Sequence, residues 1–290
     1  MKPSGLYRGE LWQAGGALAR ILPRHLAEEL AAFAGSVYAD ANPERRRIVL
    51  NNVLPGLQGS GEEAATISRR LFENFARKLI HLWLYESGAP VESLLAPPVG
   101  WQTFERAYAR GKGLIIVTPH LGNWEFGAPL ITRRKIKLQV ISFTEPDERL
   151  GSLRQKGRER WGVETVFIGD NPFAFVQVIQ HLERGGVVAL LMDRPPKSAI
   201  PVTLFNRRLL ATAAAAELAR ATGCAILPVT MLWHGVKYEA RLYDEVEYDR
   251  LTLRMPEARQ ELTQKIISRF EPLIRENLDQ WYHFVPIWPV

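Results

Sequence analysis

Histidine is the side chain best suited to moving a proton near neutral pH, and three of the six in this sequence are followed five positions later by a glutamate: His81/Glu86, His120/Glu125 and His234/Glu239. Spacing alone does not choose among them, so context must. His81 falls inside a long amphipathic stretch, where a five-residue step rotates about 140° around a helix and aims the two side chains apart. His234 and Glu239 flank Gly235 in a strand-and-turn context. His120 sits in Thr118-Pro119-His120-Leu121-Gly122-Asn123-Trp124-Glu125-Phe126-Gly127, after an apolar run and a proline. A helix beginning at Asn123, a favoured cap residue, puts Glu125 in its first turn, where a carboxylate complements the helix dipole. A turn followed by one helical step brings imidazole and carboxylate together, as a continuous helix does not. Such a pair suits deprotonation of an alcohol as it attacks a thioester, the carboxylate fixing the tautomer and stabilising the imidazolium that forms. The alternative is a capping glutamate beside a histidine satisfied in the core, and the residues by themselves leave both open.

The elements that must hold this turn are legible as patterns. Apolar sets at Leu11, Trp12, Leu18, Ile21 and Leu22, then Leu26, Leu30 and Phe33, predict two helices. Asn42-Pro43-Glu44 reads as a helix start, Pro55 to Gly61 as a loop, and Glu62 to Glu86 as a long amphipathic helix. Pro90 to Gly100 is the expected boundary between a helical N-terminal region, 1–100, and an α/β core, 101–290. Strands are expected at Leu114–Thr118, Leu138–Phe143, Thr165–Ile168, Val187–Met192 and Ala225–Thr230, with late strands within Val236–Val246. Helices are expected near Glu148–Trp161, Asn171–Arg184, Thr212–Thr222 and Pro256–Leu278. This alternation predicts an α/β fold with a mixed, largely parallel sheet flanked by helices and a helical N-terminal layer. Ligands of such sheets bind outside the carboxyl ends of strands, where His120 lies.

With 290 residues, 47% hydrophobic and 23% charged, the composition excludes a disordered or collagen-like chain, and the lone Cys224 excludes an intrachain disulfide framework. There is no P-loop, G-x-S-x-G elbow, H-E-x-x-H or Cys/His cluster for zinc, so neither a metal nor a cofactor is expected. No run of 18 apolar residues predicts a transmembrane helix, and Met1-Lys2-Pro3-Ser4-Gly5 lacks the character of a secretory leader. A cytoplasmic protein is expected. The net charge of +6 favours acidic partners. Residues 101–160 hold 12 Lys+Arg against 6 Asp+Glu, including Arg133-Arg134-Lys135 and Lys137. Such a patch suits phosphates or an acidic protein surface, or else is a solvated face.

Taken together, the residues from Thr118 to Glu125 resemble the H-x4-D/E block of the bacterial lipid A biosynthesis (lauroyl/myristoyl) acyltransferases, a family that includes phosphatidylinositol mannoside acyltransferases. Arg47 to Val53 resembles the family's R-x-x-x-x-N segment, and Val187 to Arg194 its strand ending in Asp. Val202 to Phe205, Ala211-Thr212, Leu218 to Gly223 and Leu227 to Val229 are similar to its following block, and Gln280 to Phe284 to its aromatic end. The resemblance implies a glycerolipid acyltransferase-like fold. It also implies an enzyme at the cytoplasmic face of the inner membrane that moves a fatty acyl chain from acyl carrier protein or coenzyme A to a glycolipid hydroxyl. It assigns His120 as base and Glu125 as its partner, with Asn123, Arg154, Arg158, Arg160, Asp193 and Arg194 as substrate-binding companions. The thioester is a co-substrate, not a cofactor. Two departures stand out. A membrane-spanning N-terminal helix is missing, so peripheral attachment is expected, with Leu11 and Trp12 inserted and Arg8, Arg20 and Arg24 near head groups. His283-Phe284-Val285-Pro286 replaces a His-Arg-Arg ending, which bears on whether the acceptor is a lipid A precursor. Competing readings are a phosphatidylinositol mannoside or lysophospholipid acyltransferase, a thioesterase, and a non-enzymic basic lipid- or nucleic-acid-binding protein. No helix-turn-helix, RRM-like or zinc-finger signature supports nucleic acid as a partner.

Overall fold

The computed structural model describes residues 8–57, 61–168, 173–194 and 199–289. Four helices form the N-terminal layer: α1 (Gly9–Ile21), α2 (Arg24–Ala41), α3 (Pro43–Val53) and α4 (Gly61–Glu86). As expected, Pro43 opens α3, its missing N–H being one that a first helical turn leaves unpaired anyway. Beyond Gly100 the chain runs α5 (Trp101–Ala109), β1 (Leu114–Thr118), α6 (Ala128–Thr132), β2 (Leu138–Phe143), α7 (Glu148–Arg160), β3 (Val163–Ile168), α8 (Ala174–Glu183) and β4 (Val187–Leu191). There follow β5 (Ile200–Leu204), β6 (Arg207–Ala211), α9 (Ala214–Thr222), β7 (Ala225–Trp233), β8 (Tyr238–Leu242) and α10 (Pro256–Glu276). The expected start of α8 at Asn171 lies outside the described residues.

Six strands form one sheet in the order β3-β2-β4-β1-β7-β8, parallel except for the last pair. The largely parallel α/β fold is therefore as the sequence predicts. All five residues of β1 are buried, as a central parallel strand covered on both faces requires. Ile115 and Val117 face a core built with α3, α4, α9 and α10, and Leu114 and Ile116 face a second core with α5 and α6. Ala39, Val49, Val53, Leu71 and Phe72 of the N-terminal layer share the first core with the sheet, so residues 90–100 link two layers of one packed body.

Two elements were not foreseen. Helix α5 starts after Gly100, whose φ of +77° and contact with the Leu242 carbonyl, 2.4 Å from where a Cβ would stand, admit only glycine. The β5–β6 hairpin turns through Phe205 and Asn206, both at positive φ (52° and 57°). Only Asn206 advertises such a turn in sequence. Tertiary contacts hold Phe205 there: its N–H donates to Glu271 at 3.1 Å, and its ring packs against Arg275 and Trp281.

The register of β1 and β4 builds the site. Thr118 pairs with Leu191, so the residues two beyond each strand, His120 and Asp193, stand level at neighbouring carboxyl ends. The turn after His120 is pinned to β7, since Gly122 (φ +65°) leaves 1.9 Å between a hypothetical Cβ and the Met231 carbonyl. The N–H of Asn123 donates to that same carbonyl at 2.9 Å.

Candidate active site

The carboxylate on the His120 imidazole is that of Asp193, not Glu125. His120 Nδ1 lies 2.6 Å from Asp193 Oδ1, and the His120 backbone N–H donates to the same carboxylate at 2.9 and 3.0 Å. Asp193 also accepts from Trp281 Nε1 and His283 Nε2, each at 2.8 Å. A carboxylate only accepts, so Nδ1 of His120 and Nε2 of His283 must both carry protons. That leaves Nε2 of His120 bare: a base whose tautomer is set from behind. His120 and Asp193 are 6% and 0% exposed. Burial, with help from Arg194 and His283 and against the pull of Asp193, brings the imidazole down to about 4. Burial opposes ionisation of Asp193, but the two imidazoles and their hydrogen bonds hold it well below the usual carboxylate range.

The C-terminal segment is part of this site. Tyr282 N–H donates to the His120 carbonyl at 2.8 Å and Gly122 N–H to the Gln280 carbonyl at 2.9 Å, laying Gln280–His283 alongside the turn. Asn52 on α3 anchors the segment by donating to the His283 and Val285 carbonyls at 2.9 and 2.8 Å.

Glu125 has another task. The chain after Asn123 makes one 3₁₀ turn, Trp124–Gly127, before α6, and the Asn123 side chain does not cap it. Asn123 is instead buried, with neither side-chain polar atom hydrogen-bonded among the described residues. The tighter turn directs Glu125 toward α7, where Arg158 grips both its oxygens (Nη2–Oε1 2.6 Å, Nε–Oε2 3.1 Å) and Arg154 adds a contact at 2.9 Å. Burial opposes its ionisation, but Arg158, Arg154 and Lys78 bring Glu125 down to about 2. Arg154 also reaches Glu86 and Glu145. Arg160 turns away: it is exposed and donates to the Glu86 backbone carbonyl at 2.5 Å. Arg194, next to Asp193, is exposed at the rim.

Beside this turn an apolar slot crosses the sheet. Ala240, Met231, Ile116, Ala189 and Val140 give it one wall from β8 to β2, about 19 Å by the usual strand spacing. Trp101 and Phe104 of α5 with Ile131 of α6 line its other side. Thr118, Trp124 and Glu125 of the turn region also line it, and the Trp124 ring stands edge-on to His120 at 5.1 Å. Among the described residues, His120, Asp193 and His283 are the one group of three whose ligating atoms cluster tightly enough for a metal, within 4.8 Å. The hydrogen bonds from Trp281 and the His120 backbone already fill the carboxylate they would share, which argues for a proton-holding hub.

The sequence matches the bacterial lipid A biosynthesis acyltransferases over residues 9–289. The chain belongs to this family. The phosphatidylinositol mannoside acyltransferases of Mycobacterium tuberculosis strains CDC 1551 / Oshkosh and ATCC 25618 / H37Rv are each 28% identical to it over 192 residues, 65% of this chain and 58% of theirs. The chain thus spans less than two thirds of the curated relatives it matches. The crystal structure of the 1-acyl-sn-glycerophosphate acyltransferase PlsC from Thermotoga maritima aligns with 90% of this chain and all of its own, at 13% identity and a TM-score of 0.35.

In this member of the lipid A acyltransferase family, sequence reasoning missed His283 and Trp281 as supports of Asp193, and Lys78 beside Trp124. The aromatic ending is visible in the sequence as a pattern, but nothing local ties it to a turn some 160 residues earlier. The geometry also fixes a pH dependence. A base at His120 would work only unprotonated, and its value of about 4 lies below that of a free imidazole. Turnover is therefore expected to stay level from pH 8 down to about 5 and to fall only as pH approaches 4. A kcat/KM profile with its acid limb near 6.5 would contradict this assignment.

Proposed function

We propose that the protein transfers a fatty acyl chain from a thioester, carried by acyl carrier protein or coenzyme A, to a hydroxyl of a membrane glycolipid. The observation that carries this reading is the unprotonated Nε2 of His120, its tautomer held by Asp193 and its ring against Trp124, which lines the apolar slot. The slot takes the acyl chain and leaves the thioester carbonyl at Thr118 and Trp124. Nε2 accepts the proton of the acceptor hydroxyl while its oxygen bonds to the carbonyl carbon. The tetrahedral intermediate then collapses with cleavage of the C–S bond, and the imidazolium returns its proton to the departing thiolate. Asp193 stabilises the imidazolium between these steps, a contribution of the kind worth about 10²–10⁴ in rate. Glu125 with Arg154 and Arg158 forms a rigid wall of the slot.

The family points to a lipid A precursor as acceptor. A phosphatidylinositol mannoside is the second reading, favoured by the 28% identity to the mycobacterial enzymes. Purified protein given radiolabelled palmitoyl-CoA or palmitoyl-carrier protein with each acceptor in turn is expected to acylate one of them, faster than it hydrolyses thioester. Hydrolysis undiminished by either acceptor would make it a thioesterase instead.

Peripheral attachment to the cytoplasmic face of the inner membrane belongs to the same proposal. No helix among the described residues is long and apolar enough to cross a membrane. The outer face of α1 and α2 nonetheless exposes Leu11, Leu18, Ile21, Leu26, Leu30, Phe33 and Val37, with Ile21 at 79% and Phe33 at 69%. Arg20 and Arg24 stand on the same two helices, a combination that suits an anionic bilayer. Trp12 is not part of that face. It is 6% exposed, and its indole N–H donates to Glu86 at 2.5 Å. Wild-type protein is expected to sediment with vesicles containing anionic lipid, and the double variant Ile21→Ser/Phe33→Ser to bind them about tenfold more weakly, since each loses buried apolar area. Equal sedimentation would move docking to another surface.

A further inference from the structure

We propose that Lys78 and Arg194 form a cationic wall beside His120 that receives a phosphate group carried by a substrate. Only the identity of that substrate rests on the acyl-transfer reading.

Lys78 projects from α4 and is 3% exposed, yet among the described residues its ammonium has no hydrogen-bond partner. It sits 3.2 Å from the centroid of the Trp124 ring and 4.8 Å from that of Tyr282. Both residues touch the base, Trp124 through its ring and Tyr282 through its backbone N–H to the His120 carbonyl. Arg194 directly follows Asp193 just past the end of β4, which sets its backbone beside His120. It makes no ion pair among the described residues, and its charge acts on both His120 and Lys78. The nearby carboxylates are already committed, Glu125 to Arg158 and Arg154, and Asp193 to His120, His283 and Trp281.

Glu125 is the carboxylate whose charge acts most on Lys78, but Arg158 and Arg154 already hold its oxygens, so the three donors of the ammonium stay unmet among the described residues. Aromatic faces attract a cation but accept none of the ammonium's three N–H bonds. Burying a charged group with its donors unmet is unfavourable, and burial accordingly pushes Lys78 well below the usual lysine value. An anion with several oxygens would meet those donors, and the guanidinium fork of Arg194 suits phosphate in particular. Phosphate is common to the two substrates of the proposed reaction, since a phosphopantetheine thioester carries one and so does a phosphoglycolipid acceptor.

Calorimetric titration separates the sources. Inorganic phosphate is the shared probe, 4′-phosphopantetheine represents the donor, and glycerophosphoinositol represents the acceptor. Wild-type protein is expected to bind one of the two organic phosphates better than inorganic phosphate, which names the source. Lys78→Met and Arg194→Met should each weaken that binding at least tenfold, and Lys78→Arg should recover most of it. Arg194 is exposed, so its variant tests the site even if Lys78→Met folds poorly. Absence of binding by wild-type protein, or unchanged affinity in either Met variant, overturns the proposal. Binding that depends on both cations in a protein that transfers no acyl chain would leave this site standing and sink the acyltransferase reading instead.

Discussion

Asp193→Asn is expected to lower acyl transfer by about 10³–10⁴-fold, close to the loss from His120→Ala, because both abolish the same base. An asparagine in that place presents one oxygen and one NH₂ group. The oxygen can still take the N–H groups of His283 and Trp281, now at Oδ2. The amide nitrogen then faces His120 Nδ1, now 2.6 Å from Oδ1, and two donors cannot meet there. The imidazole must shift its proton to Nε2, which is the atom that has to accept one from the acceptor hydroxyl. The negative charge that stabilises the imidazolium is lost in the same step. Single-turnover transfer from labelled thioester, at matched folded fraction by circular dichroism, measures this directly. Activity within tenfold of wild type would mean that Asp193 only supports the fold.

Glu125→Gln is expected to act on stability first, costing about 3–5 kcal/mol. The carboxylate lies between two guanidinium groups, with Arg158 on both oxygens and the Lys78 ammonium nearby. Removing its charge leaves Arg158, itself buried, without its acid, the situation in which breaking a buried pair is most destabilising. Thermal melting should fall by about 10 °C. The folded fraction should keep the acid limb of its pH profile near 4, because Glu125 makes no hydrogen bond to His120. Transfer should fall less than in Asp193→Asn. The opposite pattern, unchanged melting with a loss matching His120→Ala, would restore Glu125 as the working partner of the imidazole.

The local patterns of this chain carried a good deal. The uninterrupted apolar run 114–118, the alternation of strand-like and helix-like stretches and Pro43 at a helix start each depend on near neighbours, and each appears where expected. Strands β1 and β2 match residue for residue; β1 is buried throughout and left a short apolar signature, whereas β2 is fully buried only at Leu138 and Gln139. His120 was legible for the same reason: a proline, a glycine and a strand end surround it in sequence. Its partner was not. Glu125 was nearer along the chain and Asp193 was 73 residues away, and a five-residue spacing says nothing about which way a 3₁₀ turn will face. The pairing was decided by the parallel register that sets Thr118 against Leu191, and by the C-terminal strand of contacts that brings Trp281 and His283 onto the same carboxylate. Sequence by itself determined which elements form and that an imidazole stands at a strand's carboxyl end, since these follow from side-chain period and turn chemistry over a few residues. Only the tertiary structure decided which carboxylate holds that imidazole, where Trp12 points and that an apolar slot opens beside the base, since each depends on segments distant along the chain being packed against one another.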